Sequence, residues 1–256
     1  MGKRSPVEGR VPRQAGESGR RKISEIIDDE TMPWAVVALC AWFAAIVDLA
    51  WYLAGWAPQP LLVGALAAAL SAVAGAKIVM ARKELRDRRL GVDGEVVVAA
   101  MLERLRAHGY EVFNDIEGDG FNIDHVVVGP GGVFVIETKT ISKRDGENKV
   151  EFDGHQVRIN GALPDRDPVA QVRRNAEDIR RIIRDRAGMD VTPRTIVVFP
   201  GWYVESKGNA WNSGVWVMNE KTMVKYLTRQ WPELENPDLR RIAAVLRGLA
   251  KHKDTP

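Results

Sequence analysis

Asp124, Glu137 and Lys139 stand within one glycine-turned pair of apolar runs, Phe121-Asn-Ile-Asp-His-Val-Val-Val-Gly-Pro-Gly-Gly-Val-Phe-Val-Ile-Glu-Thr-Lys-Thr140. Their spacing decides what they can do. β-branched and aromatic residues flank Gly129-Pro130-Gly131-Gly132, which is the pattern of a β-hairpin. With the loop at those four residues, Val128 faces Val133, Val126 faces Val135, and Asp124 falls opposite Glu137 on one face, with Cβ atoms roughly 5 Å apart. Lys139 shares that face two residues on. Neighbouring carboxylates repel, and one takes up a proton unless a divalent cation neutralises the pair. The expected chemistry is a Mg²⁺ (or Mn²⁺) site with an ammonium beside it.

These residues also carry a resemblance. The spacing Asp124-x12-Glu137-x-Lys139 resembles the PD-(D/E)xK phosphodiesterase superfamily, with Ile123-Asp124 in place of the Pro-Asp pair. Gly91-Val-Asp-Gly-Glu95, Tyr110-Glu-Val-Phe-Asn-Asp115, Phe121-Asn-Ile-Asp124 and Gly129-Pro-Gly-Gly-Val-Phe-Val-Ile-Glu-Thr-Lys139 together resemble the nuclease-related domain, NERD, over about residues 88 to 200. The resemblance implies an α/β, restriction-endonuclease-like core with a mixed central sheet flanked by helices. It implies that Asp124, Glu137 and the Thr138 carbonyl hold the metal with Glu95 assisting, and that Lys139 orients the attacking water or stabilises the pentavalent oxyanion. Gln171, on the helix after the hairpin, would position water or phosphate, and Asn175 one turn on is the weaker candidate. The implied activity is metal-dependent hydrolysis of nucleic acid, DNA ahead of RNA. Two other classes remain beside it, an inactive nucleic-acid-binding fold and a membrane-bound signalling or scaffold protein.

Composition sets the outer limits. A single cysteine excludes a disulfide framework or a cysteine-based zinc site, and 37 basic against 34 acidic residues give a net charge of only +3, too small to argue nucleic-acid binding from the whole chain. Residues 1–30 are rich in Arg, Gly, Ser and Glu and read as a disordered cytoplasmic tail. Residues 31–90 read as a transmembrane hairpin, with apolar segments at about 33–56 and 60–80, the uncharged connector Ala57-Pro-Gln-Pro60 and a basic juxtamembrane helix. Asp48 and Lys77 are the only charged side chains of those segments. Basic flanks, Arg20 to Lys22 before and Arg82 to Arg89 after, put both ends in the cytoplasm of a bacterial-type inner membrane. Gly64, Ala68, Ser71 and Gly75 form a small-residue stripe open to a partner helix or a second protomer. Membrane lipid is thus an expected partner, with a homo-oligomer through the hairpin as the further possibility.

Residues 91–256 hold the nuclease-like domain and a C-terminal helical extension. Gly91 and Gly94 should break the juxtamembrane helix, with Asp93 capping a new one from Glu95 to about Ala107 closed by Gly109. Tyr110 to Phe113, Thr195 to Phe199 and Val215 to Met218 read as strands, and Val150 to Phe152 with Gln156 to Ile159 as a small added hairpin. Asp167-Pro168 opens a helix to Ala187 whose arginines outnumber its acids. Further helices start at Asn219 and Asn236. His125 and His155 read as structural, and Trp202, Trp211 and Trp216 as core or loop residues.

Overall fold

The computed structural model describes residues 14–56, 59–118, 120–143 and 148–250. The chain divides into two compact units, one of Ser18–Arg89 and one built mainly from Leu90 onward.

In the first unit, α1 (Glu17–Glu25) and a π-helical stretch (Ile26–Thr31) precede α2 (Met32–Leu53). This corrects the unordered tail for the described part of residues 1–30; residues 1–13 lie outside the described residues. Ile23, Ile26 and Ile27 give this stretch one apolar side, with Ile26 buried, and Arg21 pairs with Glu25 one turn on. α2 carries Pro33 in its first turn, where a missing N–H costs nothing, and none of its residues is buried. α3 (Pro60–Leu102) begins the second apolar run; Ala57 and Pro58 of the connector are outside the described residues. The two helical stretches Glu17–Leu53 and Pro60–His108 are long and apolar enough to span a membrane. Trp42 donates its indole N–H to Ser71 at 2.8 Å, and Lys77 lies over the Trp34 ring. The buried small residues are Ala67, Ala74 and Ala81, while Ala68 and Gly75 are exposed. Of the expected stripe, Ser71 alone meets the partner helix by a hydrogen bond.

α3 does not break at Gly91 or Gly94, and Asp93 caps nothing. An interior glycine costs a helix only about 1 kcal/mol relative to alanine, and tertiary packing recovers it. A Cβ on Gly94 would lie 1.6 Å from Thr140 Oγ1; glycine is what lets the helix backbone press against the segment that follows Lys139. A 3₁₀ turn, Glu103–His108, then ends at Gly109 in the left-handed conformation.

Strands β1 (Glu111–Gly118), β2 (Phe121–Gly129) and β3 (Gly132–Thr138) form an antiparallel meander. β4 (Lys149–Phe152) and β5 (Val157–Ile159) form the added hairpin, and α4 (Pro168–Ala187) follows. Then come β6 (Arg194–Val198), β7 (Tyr203–Ser206), β8 (Val215–Met218), α5 (Glu220–Leu227) and α6 (Asn236–Leu249). The main sheet is mixed, in the order β1-β2-β3-β6-β8, with β3, β6 and β8 mutually parallel. A second sheet has the order β5-β4-β7.

β3 is buried along its whole length, its apolar run Val133–Ile136 suiting a central position, and its last two residues, Glu137 and Thr138, are buried polar groups. On one face of the main sheet Val126, Val128, Val133 and Val135 pack with Val172, Ile179 and Ile183 of α4 and Ile242 and Leu246 of α6. On the other, Val127, Phe134 and Ile136 pack with Val98 and Leu102 of α3 and Met223 and Leu227 of α5. Helices therefore cover both faces of a central mixed sheet.

Candidate functional site

The β2–β3 ladder pairs Val126 with Val135 and Val128 with Val133, in the register that the hairpin spacing demands. Only Pro130 and Gly131 lie outside the ladder, because Gly129 pairs with Gly132. Continued one step past the last rung, His125 opposite Ile136, this register places Asp124 opposite Glu137. Asp124 Oδ2 there accepts the Thr138 N–H at 2.7 Å. Both acids are buried, at 9 % and 2 % exposure.

The remaining groups converge on Glu137. Its Oε1 is 2.8 Å from Lys139 Nζ, and its Oε2 accepts a hydrogen bond from Asn175 Nδ2 at 3.2 Å. Lys139 Nζ also donates to Gln171 Oε1 at 2.9 Å. Gln171 and Asn175 are one turn apart on α4, a helix fixed at its start by Pro168 and by Asp167, whose Oδ1 accepts the N–H groups of Val169 and Ala170. The i, i+4 stripe therefore gives each amide its own partner. Asn175, the weaker sequence candidate, holds Glu137, and Gln171 holds Lys139.

Electrostatics agree with this crowding. Burial raises the Asp124 carboxyl well above its ordinary range, and the charges of Glu137 and then Glu95 raise it further, against the Thr138 N–H and Lys139. Burial also raises Glu137, with the Lys139 ammonium opposing. Glu95 thus acts on Asp124 through its charge. It sits in the interior of α3, so a first-turn helix-dipole role does not explain it.

All donors here are hard oxygens, two carboxylates and the Thr138 carbonyl, a set suited to Mg²⁺ or Mn²⁺. The raised carboxyl pKa values mark negative charge that a cation would relieve. Among the described residues no three His, Cys, Asp or Glu side chains converge as a metal-holding group.

The two histidines stay outside this chemistry. His125 is fully buried with Nδ1 2.9 Å from Asn114 Oδ1, and burial lowers it to about 3, so it is neutral; His155 is exposed. The arginines of α4 are largely committed: Arg180 to Asp190, Arg181 to Asp178, Arg184 to Asp185, and Arg173 to the Ser213 carbonyl. The tryptophans divide. Trp202 is buried, Trp216 is partly buried on β8, and Trp211, in a 3₁₀ turn, is 66 % exposed.

No curated protein matches the chain. A solved structure that it resembles is described as the structure of Pyrococcus furiosus SfsA in complex with Ca²⁺, at 19 % identity and a TM-score of 0.28 over 49 % of this chain and 55 % of that one. The chain therefore spans about half the length of that structure. The family model of NERD, the nuclease-related domain, matches residues 90–200, a stretch that contains Glu95, the acidic hairpin and α4. Over residues 90–200 this chain is similar to the nuclease-related domain family.

Proposed function

We propose that the chain is a membrane-anchored, metal-dependent nuclease with a restriction-endonuclease-like core of the PD-(D/E)xK type. One observation carries the reading: two buried carboxylates, Asp124 and Glu137, are held side by side with the Lys139 ammonium 2.8 Å from one of them. A fold kept only for binding has no use for a paired-acid arrangement that burial disfavours.

A Mg²⁺ or Mn²⁺ ion held by Asp124, Glu137 and the Thr138 carbonyl would neutralise the acids, polarise the scissile phosphodiester and lower the pKa of a water. Lys139 supplies an ammonium for the oxygen on which negative charge builds. Gln171 sets the direction of that ammonium, and Asn175 fixes the rotamer of Glu137. Thr138 N–H does the same for Asp124. The apolar helices, mostly unburied and flanked by Arg and Lys, support a two-pass anchor with both ends and the nuclease-related domain in the cytoplasm. Nucleic acid, DNA ahead of RNA, is the proposed substrate.

Cleavage of mixed DNA and RNA by the full chain, with Mg²⁺, Mn²⁺ or EDTA, tests this directly. Metal-dependent cleavage that Glu137→Ala and Lys139→Ala abolish is the expected result; equal activity in all variants would remove these residues from the mechanism.

A further inference from the structure

Asp115 lies inside β1 and is buried, yet its φ of 52° is left-handed. Among the described residues the other non-glycine with such a φ is Asn160, in the turn after β5, an ordinary place for one. A strand interior is not, because a left-handed residue there breaks the pleat and disrupts the ladder. The packing shows the break. On β1, Phe113 and Ile116 both join the core beneath α4, and so do their partners on β2, Val126 and Ile123. Side chains of a regular strand alternate, so residues three apart belong on opposite faces. Each strand has slipped by one in facing while the pairing stays in step, with Asn114 against His125 and Ile116 against Ile123. The pair between them, Asp115 and Asp124, is missing from the ladder, and both slips fall there. The ladder of β2 with β3 ends beside it, at His125 and Ile136, so Asp124 lies outside regular pairing on both sides.

That release decides where the Asp124 carboxylate goes. On an unbroken strand its side chain would stand on the α4 face, in phase with Val126 and Val128. Instead Oδ2 accepts the Thr138 N–H at 2.7 Å, and the N–H groups of a strand lie along the sheet rather than above it. The carboxylate therefore lies near the level of the sheet. Its surroundings agree: raised first by burial, its pKa is raised further by acids from both faces, Glu137, bonded to Asn175 of α4, and Glu95, one turn before Val98 on α3, the helix that covers the other face.

We propose that Asp115 is a positioning residue for Asp124: its left-handed backbone, rather than its side chain, opens the β1–β2 pairing and turns the Asp124 carboxylate toward Thr138 and Glu137. The proposal rests on the nuclease reading and deepens it. Aspartate suits the role, because Asp and Asn enter the left-handed region more readily than other residues with a Cβ, and β-branched residues least readily.

The test measures Mn²⁺ affinity of the full chain by electron paramagnetic resonance, without nucleic acid, beside steady-state cleavage. Asp115→Gly and Asp115→Val both delete the carboxylate and differ in whether the left-handed backbone is tolerated. Valine should weaken Mn²⁺ binding by about 10-fold or more, the scale of losing a group that orients a metal ligand, and lower kcat with KM for nucleic acid little changed. Glycine, free to adopt the same φ, and Asp115→Asn should stay within about 3-fold of wild type. Should valine fail to fold by circular dichroism, Asp115→Ala takes its place, with a smaller loss in the same direction. Equal Mn²⁺ affinity in the glycine and valine (or alanine) variants, whether both match wild type or both are weakened, overturns the positioning role while cleavage by wild type leaves the nuclease reading intact. Wild type that neither binds Mn²⁺ nor cleaves overturns both.

Discussion

Lys139 Nζ lies 2.8 Å from Glu137 Oε1 and donates at 2.9 Å to Gln171 Oε1, so one ammonium is shared between the acid two residues before it and an amide on another element. Removing it should cost far more than removing the amide. Lys139→Ala is expected to lower kcat by about 100-fold or more, in line with loss of a transition-state donor, and Gln171→Ala by a smaller factor. Equal losses, measured by steady-state cleavage with Mg²⁺, would mean that the lysine has no charge-stabilising role.

Asp124 is a group whose folded-state pKa is raised above its ordinary 3.8, chiefly by burial. Its contribution to stability is complete below that value and is lost as pH rises through the folded pKa. Metal-free protein should therefore weaken as pH rises from about 4, and Asp124→Asn should melt higher than wild type at pH 7 while losing cleavage and the Mg²⁺-induced rise in Tm. An asparagine variant less stable than metal-free wild type at pH 7 would contradict this assignment of charge.

His125 predicts the opposite slope. Burial lowers it from 6.5 to about 3, so its stability contribution is present above 6.5 and is lost as pH falls through 3. At pH 5 the penalty relative to pH 8 is about 2 kcal/mol. Urea unfolding of wild type and His125→Gln at both pH values checks it, and parallel pH dependences would exclude a neutral buried imidazole.

Gly91 and Gly94 share one helix and should respond oppositely to alanine. A Cβ at Gly91 meets nothing within 4 Å, whereas at Gly94 it would sit 1.6 Å from Thr140 Oγ1. Gly91→Ala should gain up to about 1 kcal/mol from helix propensity. Gly94→Ala should lose about 1–3 kcal/mol to overpacking, and cleavage should fall with it because Glu95 shifts. Thermal melts of the two variants settle the comparison; stabilisation by both would mean that Thr140 yields freely.

The topology expectation is checked with reporters. A cytoplasm-dependent fusion after Arg89 should be active and one inserted at Gln59 inactive. Activity at Gln59 would show that the apolar hairpin does not cross.

The hairpin and α4 were legible because local signals fix them: period-two valines around a glycine turn, and an Asp-Pro start with a glycine stop. Gly94 misled because its place inside a helix depends on Thr140, a tertiary partner with no local trace. β7 was missed for a related reason. Tyr203-Val-Glu-Ser206 is short and half polar, and it is a strand through its parallel pairing with β4. Asn175 was visible only as an i, i+4 companion of Gln171, and Trp211 offered no sign that its turn leaves it exposed.

The bond from Thr138 N–H to Asp124 Oδ2 has a wider consequence for how this site tolerates change. Along β3 successive N–H groups point to opposite sides, and Lys139 N–H goes to β6, so Thr138 N–H points toward β2. There a side chain stands in for the missing rung, and the two strands fork where the acids meet. Asparagine at 124 can keep the rung through its oxygen and lose only the charge. Alanine leaves a buried N–H unsatisfied, at about 1–3 kcal/mol. A lineage that abandoned the chemistry could therefore drift to asparagine with its sheet intact, whereas a drift to alanine would have to re-zip the fork.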